Sequence, residues 1–388
     1  MKKHTAAFLA LMVIPATCLA IQLDVKATNR LSLARAAQTL ELTARDLAPL
    51  AANNLNRIHV TDSAGAELLC QAVDLDGDPL HTFDAVIFQA DFAAGQSKSF
   101  TVTTGRTQVY GKEQFKAFGR FVRERFDDFA WENDRIAQRV YGPALETWQG
   151  EPLASSAIDI WSKRVPRLII NDWYLTDDYH ADHGEGADFY TAGTSRGCGG
   201  SGLWANDQLW VSRNFTRSQV LANGPIRVLF ELAYAPFAVG DLQVGETKRI
   251  SLDAGQPFNR IESHYQLADH AGPAADLTAA VGLKKVAGEI LAVNAAQGWL
   301  TSWQAMERGA GYQGLAVITR PRDFLQATAD PLNQLVLAKV DARQVATYWT
   351  GCCWDKAGRT TDAIAWQQQV SEFAQGLASP IEVKLTTK

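Results

Sequence analysis

Between Asn171 and Trp204 the chain reads NDWYLTDDYHADHGEGADFYTAGTSRGCGGSGLW, which brings His180 and His183 together with Asp177, Asp178, Asp182, Glu185 and Asp188. Trp173, Tyr174, Tyr179, Phe189 and Tyr190 are interleaved with them, and glycines follow. A solvent-facing connection has no use for so many rings, and a core segment does not tolerate so many unpaired carboxylates. Both costs fall if the segment lines a pocket, so it is expected to be a functional loop. His180 and His183 are three apart, but Gly184 and Gly186 oppose a helix there. Three chemistries remain open. His180, His183 and Glu185 or Asp188 can hold a divalent metal, one histidine can be a general acid or base, or both can be hydrogen-bonding supports.

Upstream, Arg120–Arg139 reads RFVRERFDDFAWENDRIAQR. Arg120, Arg123, Glu124 and Arg125 are expected to form a salt-bridged surface. Trp131, Glu132, Asp134 and Arg139 supply an indole, two acids and a base, the groups that place a ring under a sugar and polar atoms on its hydroxyls. In AIDIWSKRVPRLIINDWY, strands are expected on either side of Val165-Pro166, the second at Leu168–Ile170, with Asp159, Trp161 and Lys163 on one face of the first. That face either continues the pocket or carries a cross-sheet ion pair. None of the 11 tryptophans precedes residue 131 and six fall by residue 210, which concentrates aromatic surface around the histidine loop.

A Ser/His/Asp hydrolase is disfavoured because no G-x-S-x-G elbow occurs, and GCGGSG lacks phosphate-loop spacing, so it is expected to be a close backbone approach. Asp74, Asp76 and Asp78 lack the remaining ligands of a calcium loop and are expected to form a turn. The net charge of -5 argues against a protein that tracks nucleic-acid phosphates.

The elements that must position these residues are strands. Short runs rich in Val, Ile, Phe and Thr fill residues 22–104, and LWVSRNFTRSQVLANGPIRVLFELAYAPF reads as two strands joined at Ala222-Asn223-Gly224-Pro225. Further strands are expected at TKRISLD, FNRIESHYQL, LTAAVGLK, EILAVN, YQGLAVITR, NQLVLAKVD and VATYWTG. One short C-terminal helix follows Asp362, with Ile364, Trp366, Val370, Phe373 and Leu377 as its apolar stripe. The expected fold is all-β: a single large antiparallel β-sandwich over 21–388, with N-terminal strands to 104 and a catalytic part from 105 to 388. Residues 1–20 read as a secretory signal peptide, with Cys18 a poor lipid-attachment site, so a periplasmic or secreted protein without a membrane span is expected. Cys70, Cys198, Cys352 and Cys353 then remain, each with a distant partner or free.

The segments DDFAWENDRIAQRVYGPAL, IDIWSKR, NDWY, DYHADHGEGADFY, GCGGSGLW, NGPIRVLFELAY and TKRISLDAGQPFNR resemble the bacterial exported family labelled domain of unknown function 4861. The resemblance implies a galactose-mutarotase-like super-sandwich and an association with the breakdown of uronic-acid polysaccharides. It also implies, for some members, an oligosaccharide dehydratase that converts a terminal uronic acid into its 4,5-unsaturated form. Such an elimination needs a cation on the carboxylate, for which Arg139 or Lys163 is expected, and a base and an acid drawn from His180, His183, Tyr179 and Tyr190. An anionic oligosaccharide is the expected partner, bound by Trp131, Glu132, Asp134, Arg139, Asp159, Trp161, Lys163, Trp173, Tyr174, Glu185 and Asp188, with no cofactor unless a metal sits at His180, His183 and Glu185. The competing expectations are a glycoside hydrolase with paired carboxylates such as Glu132 and Glu185 or Asp188, and a sugar-binding protein without turnover.

Overall fold

Strand alternation dictates the architecture of the computed structural model, which describes residues 21–78, 80, 82–150, 152–176, 178–268 and 276–387. The expected signal peptide, Cys18 and Asp177 lie outside the described residues. The fold is the expected large antiparallel β-sandwich. Its body opposes an eight-stranded antiparallel sheet, running from Arg217–Asn223 to Ile290–Asn294, to a five-stranded sheet that includes Cys198–Ala205 and Thr278–Lys284. Between them lie Phe230, Leu232, Ile250, Ile261, Val281, Leu315 and Val336. The turn at 222–225 forms as expected, with Gly224 in the left-handed region (φ 62°), where a side chain is rarely tolerated. Gly199, Gly200 and Gly202 of GCGGSG lie on the strand Cys198–Ala205, and the need is steric: a Cβ at Gly199 would strike the Thr350 side chain, and one at Gly202 the Trp210 carbonyl.

A smaller sandwich precedes the body. Its sheets are Arg35–Thr43, Ala85–Phe92 and Cys70–Val73 on one side, and Leu23–Thr28, Ser97–Thr104, Ile58–Asp62 and Glu67–Leu68 on the other. Val25, Leu42, Val60, Phe88 and Phe100 fill its centre. The chain crosses the division expected at residue 104, because Glu382–Thr387 returns to pair antiparallel with Leu23–Thr28. The C-terminal helix spans Ala363–Ala378, with the Asp362 carboxylate accepting from the Ala365 N–H. Trp366 and Val370 are buried against Phe258 and Trp349, whereas Ile364, expected on the same stripe, is exposed. Among the described residues the four cysteines Cys70, Cys198, Cys352 and Cys353 are free thiols.

Period-two alternation also carries charges inward. On Leu242–Asp253 the inward positions Val244, Ile250 and Leu252 share their face with Glu246 and Lys248, whose charged atoms lie 3.3 Å apart. Ser201 donates to Glu246, and the Lys248 ammonium sits 4.2 Å from the centre of the Tyr234 ring. Burial pulls the Lys248 ammonium down, opposed by Glu246. Replacing one partner strands the other in the core, so Glu246→Leu is expected to cost about 3–5 kcal/mol. The double variant Glu246→Leu/Lys248→Met is expected to recover most of that loss, and urea titration of the three variants checks the coupling.

Candidate functional site

A fifth sheet positions the site: Ala117–Val122, Asp128–Asn133, Ala137–Val140, Asp159–Lys163 and Gly186–Ala187 in adjacent order. Its two faces have opposite characters. Phe129, Trp131 and Ile160 point into the main core. Asp128, Glu132, Arg139, Asp159, Trp161 and Lys163 occupy the other face, since residues two apart on a strand share a side.

Arg139 is the centre of that second face. It lies directly opposite Asp159 in register, and its Nε donates to Asp159 Oδ2 at 2.9 Å. Its Nη2 donates to Asp188 Oδ2 at 2.8 Å, and its Nη1 is 3.9 Å from Asp128 Oδ2. The Tyr141 hydroxyl donates to Asp159 at 3.0 Å. Three buried carboxylates thus surround one guanidinium. Burial pushes Asp188 up to about 8, against Arg139 and with Asp159 pushing the same way. Burial likewise pushes Asp128 up to about 6, against Arg139. Both values exceed the ordinary aspartate value of about 3.9, so the folded chain binds more protons than the unfolded chain above that value. This stability is fully present at low pH and is lost as pH rises through about 6 for Asp128 and about 8 for Asp188. Asp188→Asn is therefore expected to flatten the fall in urea midpoint between pH 6 and 8, by up to about 1.4 kcal/mol per pH unit, and to leave only the Asp128 share of the fall between about pH 4 and 6.

The loop above this sheet is closed by its own backbone, with Asp188 N–H donating to the Tyr179 carbonyl and Asp182 accepting from the N–H groups of Gly184 and Gly186. Gly186 has φ 106°, and a Cβ there would strike the Ser162 carbonyl. The closure sets Tyr179 and His180 side by side, ring centres 4.4 Å apart. The Tyr179 oxygen accepts from Arg125 Nε at 3.0 Å and Arg139 Nη1 at 3.4 Å, so its proton points away from both cations. His180 Nδ1 lies 3.0 Å from the Asp188 carbonyl oxygen. A carbonyl only accepts, which assigns a ring proton to Nδ1, so that in the neutral tautomer Nε2 holds the lone pair; the side chain is 50% exposed.

Beside them Phe126 stacks on Trp148 at 4.2 Å, and the Arg125 guanidinium lies 5.1 and 5.8 Å from those two ring centres. Trp148 is 38% exposed. Phe126 and Asp127 are consecutive non-glycine residues with φ of 50° and 64°, a strained conformation of the kind that collects at functional sites.

Several expected substrate contacts are placed elsewhere. Trp131 is enclosed in the core, donating to Asn259 Oδ1 at 2.7 Å, because strand alternation turns it away from Glu132 and Arg139. Glu132 is equally enclosed, with Lys163 Nζ at 2.6 Å and the N–H groups of Ile169 and Ile170 at 2.6 and 2.8 Å. That carboxylate anchors the start of the helix Ile170–Tyr174, which is why Leu168–Ile170 is not the expected strand. Asp134 accepts from Gly255 N–H and holds a turn. Trp161, Trp173 and Tyr174 form a buried aromatic cluster behind Tyr179. Glu185 is clamped by Arg167 at 2.7 and 2.6 Å. His183 is 73% exposed with Asp178 at 3.7 Å, and Tyr190 is packed in the main core. His180, His183 and Glu185 therefore face different partners and do not converge on one ion position. Among the described residues the group whose ligand atoms do converge is Asp74, Asp76 and Asp84. Asp74 accepts from the N–H groups of Asp76 and Gly77, as a turn requires.

Of the expected residues, Tyr179, His180, Arg139, Asp159 and Asp188 are brought together. Arg125, Asp128, Tyr141 and Trp148 join them without having been expected in the site. Arg125 sits in a dense run of both charge signs, which reads as ordinary surface.

Fold and site define a large antiparallel sandwich that carries a buried arginine–aspartate cluster beside the half-buried Tyr179 and the exposed His180. The chain belongs to the family described as Domain of unknown function (DUF4861), whose model matches residues 27–383. It is 32% identical over 372 residues to Uncharacterized protein P7 of Formosa agariphila, covering 92% of each chain. Among solved structures it is similar to a protein in the glycosyl hydrolase family 38 from Enterococcus faecalis, with TM-score 0.51, 12% identity, and coverage of 96% of this chain and 48% of that one. An alpha-mannosidase from Enterococcus faecalis V583 gives TM-score 0.49 and 11% identity, over 95% of this chain and 46% of that one. The chain thus spans about half the length of these structures, and the first likeness is one of fold. Among the described residues no helix is long and apolar enough to cross a membrane.

Proposed function

We propose that this protein is a carbohydrate-processing enzyme that removes water from a terminal uronic acid of an anionic oligosaccharide, leaving a 4,5-unsaturated sugar. The observation that carries the reading is the Tyr179 oxygen held by two guanidinium donors, with the half-exposed His180 ring beside it, held through Nδ1. In the elimination the C5–H bond breaks, its electron pair forms the C4–C5 double bond, and the 4-hydroxyl leaves as water after taking a proton. Charge that builds on the carboxylate needs a cation. Arg139 and Lys163, expected in that role, are both consumed by buried partners. Arg125, beside Trp148 at the exposed side of the cluster, takes it instead. Tyr179 and His180 are the proton-transfer pair, and the two guanidiniums stabilise negative charge at the phenol oxygen during transfer.

The solved neighbour with TM-score 0.51 is a protein in the glycosyl hydrolase family 38, which supports carbohydrate as the substrate class and keeps hydrolysis as the second reading. The carboxylates expected for hydrolysis do not flank an open bond: Glu132 is enclosed, Glu185 is clamped, and Asp188 lies beneath Arg139. Incubating the mature protein with saturated oligosaccharides that end in glucuronic or iduronic acid separates the reactions. Enuronate absorbance without new reducing ends is expected, and new reducing ends without absorbance would replace elimination with hydrolysis. Export is part of the proposal, and N-terminal sequencing of the secreted protein is expected to begin at Ile21.

A further inference from the structure

A cleft of about 440 Å³ lies away from the Tyr-His pair, between Arg35–Thr39 of the small sandwich, the outer face of the eight-stranded sheet at Ser251, Arg260 and Trp349, and the C-terminal helix at Gln369 and Phe373. A smaller cavity of about 50 Å³, lined by Trp354 and Thr360, abuts it, and Arg135, Pro257 and Gln369 line both. The volume of the larger cleft falls within the roughly 300–1,000 Å³ of small-molecule sites.

The arginines that line the two cavities divide into two sets, Arg359 lining only the smaller one. Arg227 is paired with Asp253 and Glu41, Arg260 with Glu262, and Arg35 donates to the carbonyls of Gly376 and Ser379. Arg135 and Arg359 are different. Among the described residues neither guanidinium has a hydrogen-bond acceptor or a carboxylate within 4.0 Å. Both line the smaller cavity, and burial foremost, with Arg359 acting the same way and Asp134 opposing, lowers the Arg135 guanidinium from its ordinary value. A half-buried guanidinium at the junction of the two cavities, with a second, exposed one on the wall of the smaller cavity, costs stability that an anion between them would offset.

We propose that Arg135 and Arg359 form an oxyanion site that takes a carboxylate or sulfate group carried on a sugar unit lying in the larger cleft. Guanidinium forks suit either group, because each presents paired N–H donors to paired oxygens. The oxyanion follows from the two arginines, and the sugar rests on the proposed function. The site is separate from Tyr179 and His180, so it adds a second point of contact for an anionic saccharide.

Calorimetric titration of the full mature protein with glucuronate, glucose 6-sulfate, sulfate ion and glucose tests this. Glucuronate or glucose 6-sulfate is expected to bind, their ratio deciding between carboxylate and sulfate, and glucose is expected not to bind. Arg135→Gln and Arg359→Gln are each expected to weaken binding tenfold or more, while the melting temperature of ligand-free Arg135→Gln stays at or above the parent value. Tyr179→Phe is expected to retain the binding, so a failure of the elimination reading leaves this result intact. Sulfate ion binding as tightly as both sugars would overturn the sugar assignment. Unchanged affinity in both arginine variants, or affinity lost in Tyr179→Phe and kept in Arg135→Gln, would overturn the site.

Discussion

Tyr179→Phe and His180→Ala are each expected to lower turnover by about 10²–10⁴-fold while leaving the fold intact, the range associated with loss of a positioned general acid or base. Tyr179→Phe removes one oxygen and keeps the ring that packs on Trp161 and Tyr174. His180 is half-exposed and contributes little to the core. If the pair acts as a unit, the double variant falls no further than the worse single variant, because the second proton transfer has no partner once the first is gone. His183→Ala serves as the contrast. It lies in the same loop but is directed to exposed Asp178, and its loss is expected to leave turnover within a few-fold of the parent. Initial rates of enuronate formation, with circular dichroism on each variant, check all four.

The second large effect falls on stability. Arg139→Met leaves Asp128, Asp159 and Asp188 buried without the cation they share, and is expected to cost about 3–5 kcal/mol. The loss has a pH signature. Without Arg139 the folded-state carboxylates hold their protons more strongly than the unfolded ones, so the penalty is greatest near pH 8 and shrinks as the pH falls toward 4. Arg139→Lys restores a charge but not the fork that reaches Asp159 through Nε and Asp188 through Nη2, so it is expected to recover part of the loss. Urea titrations at pH 5 and pH 8 distinguish this electrostatic cost from simple loss of packing, which would be equal at both.

The sheets were legible because their determinants are local. Alternation on Leu242–Asp253, the turn at Gly224, and the Asp362 cap before Trp366 and Val370 each declare themselves within a few residues. The closure of Tyr179 to Asp188 agrees with the density of polar and aromatic groups in that loop. Trp131 and Glu132 were misleading for a specific reason. An indole next to a carboxylate has the same composition whether it lines a sugar site or splits across a strand, and only the strand shows that the two face opposite ways. Glu132 also depends on distant chain, since its partners Lys163, Ile169 and Ile170 lie more than thirty residues on. Arg125 was hidden by its neighbours. In a run with Arg120, Arg123 and Glu124 nothing local marks the one guanidinium that reaches Tyr179. The pairing of Glu382–Thr387 with Leu23–Thr28 joins the two ends of the chain, a contact that no local pattern announces.

The most direct measurement follows the hydrogen at C5. An oligosaccharide whose terminal uronic acid carries deuterium at C5 is incubated with the enzyme, and the product is analysed by mass. Elimination predicts a product of unchanged length that has lost both the deuterium and the 4-hydroxyl, formed more slowly than from the unlabelled sugar if proton removal limits the rate. A shorter product that keeps its deuterium would contradict the account and make the site that of a hydrolase.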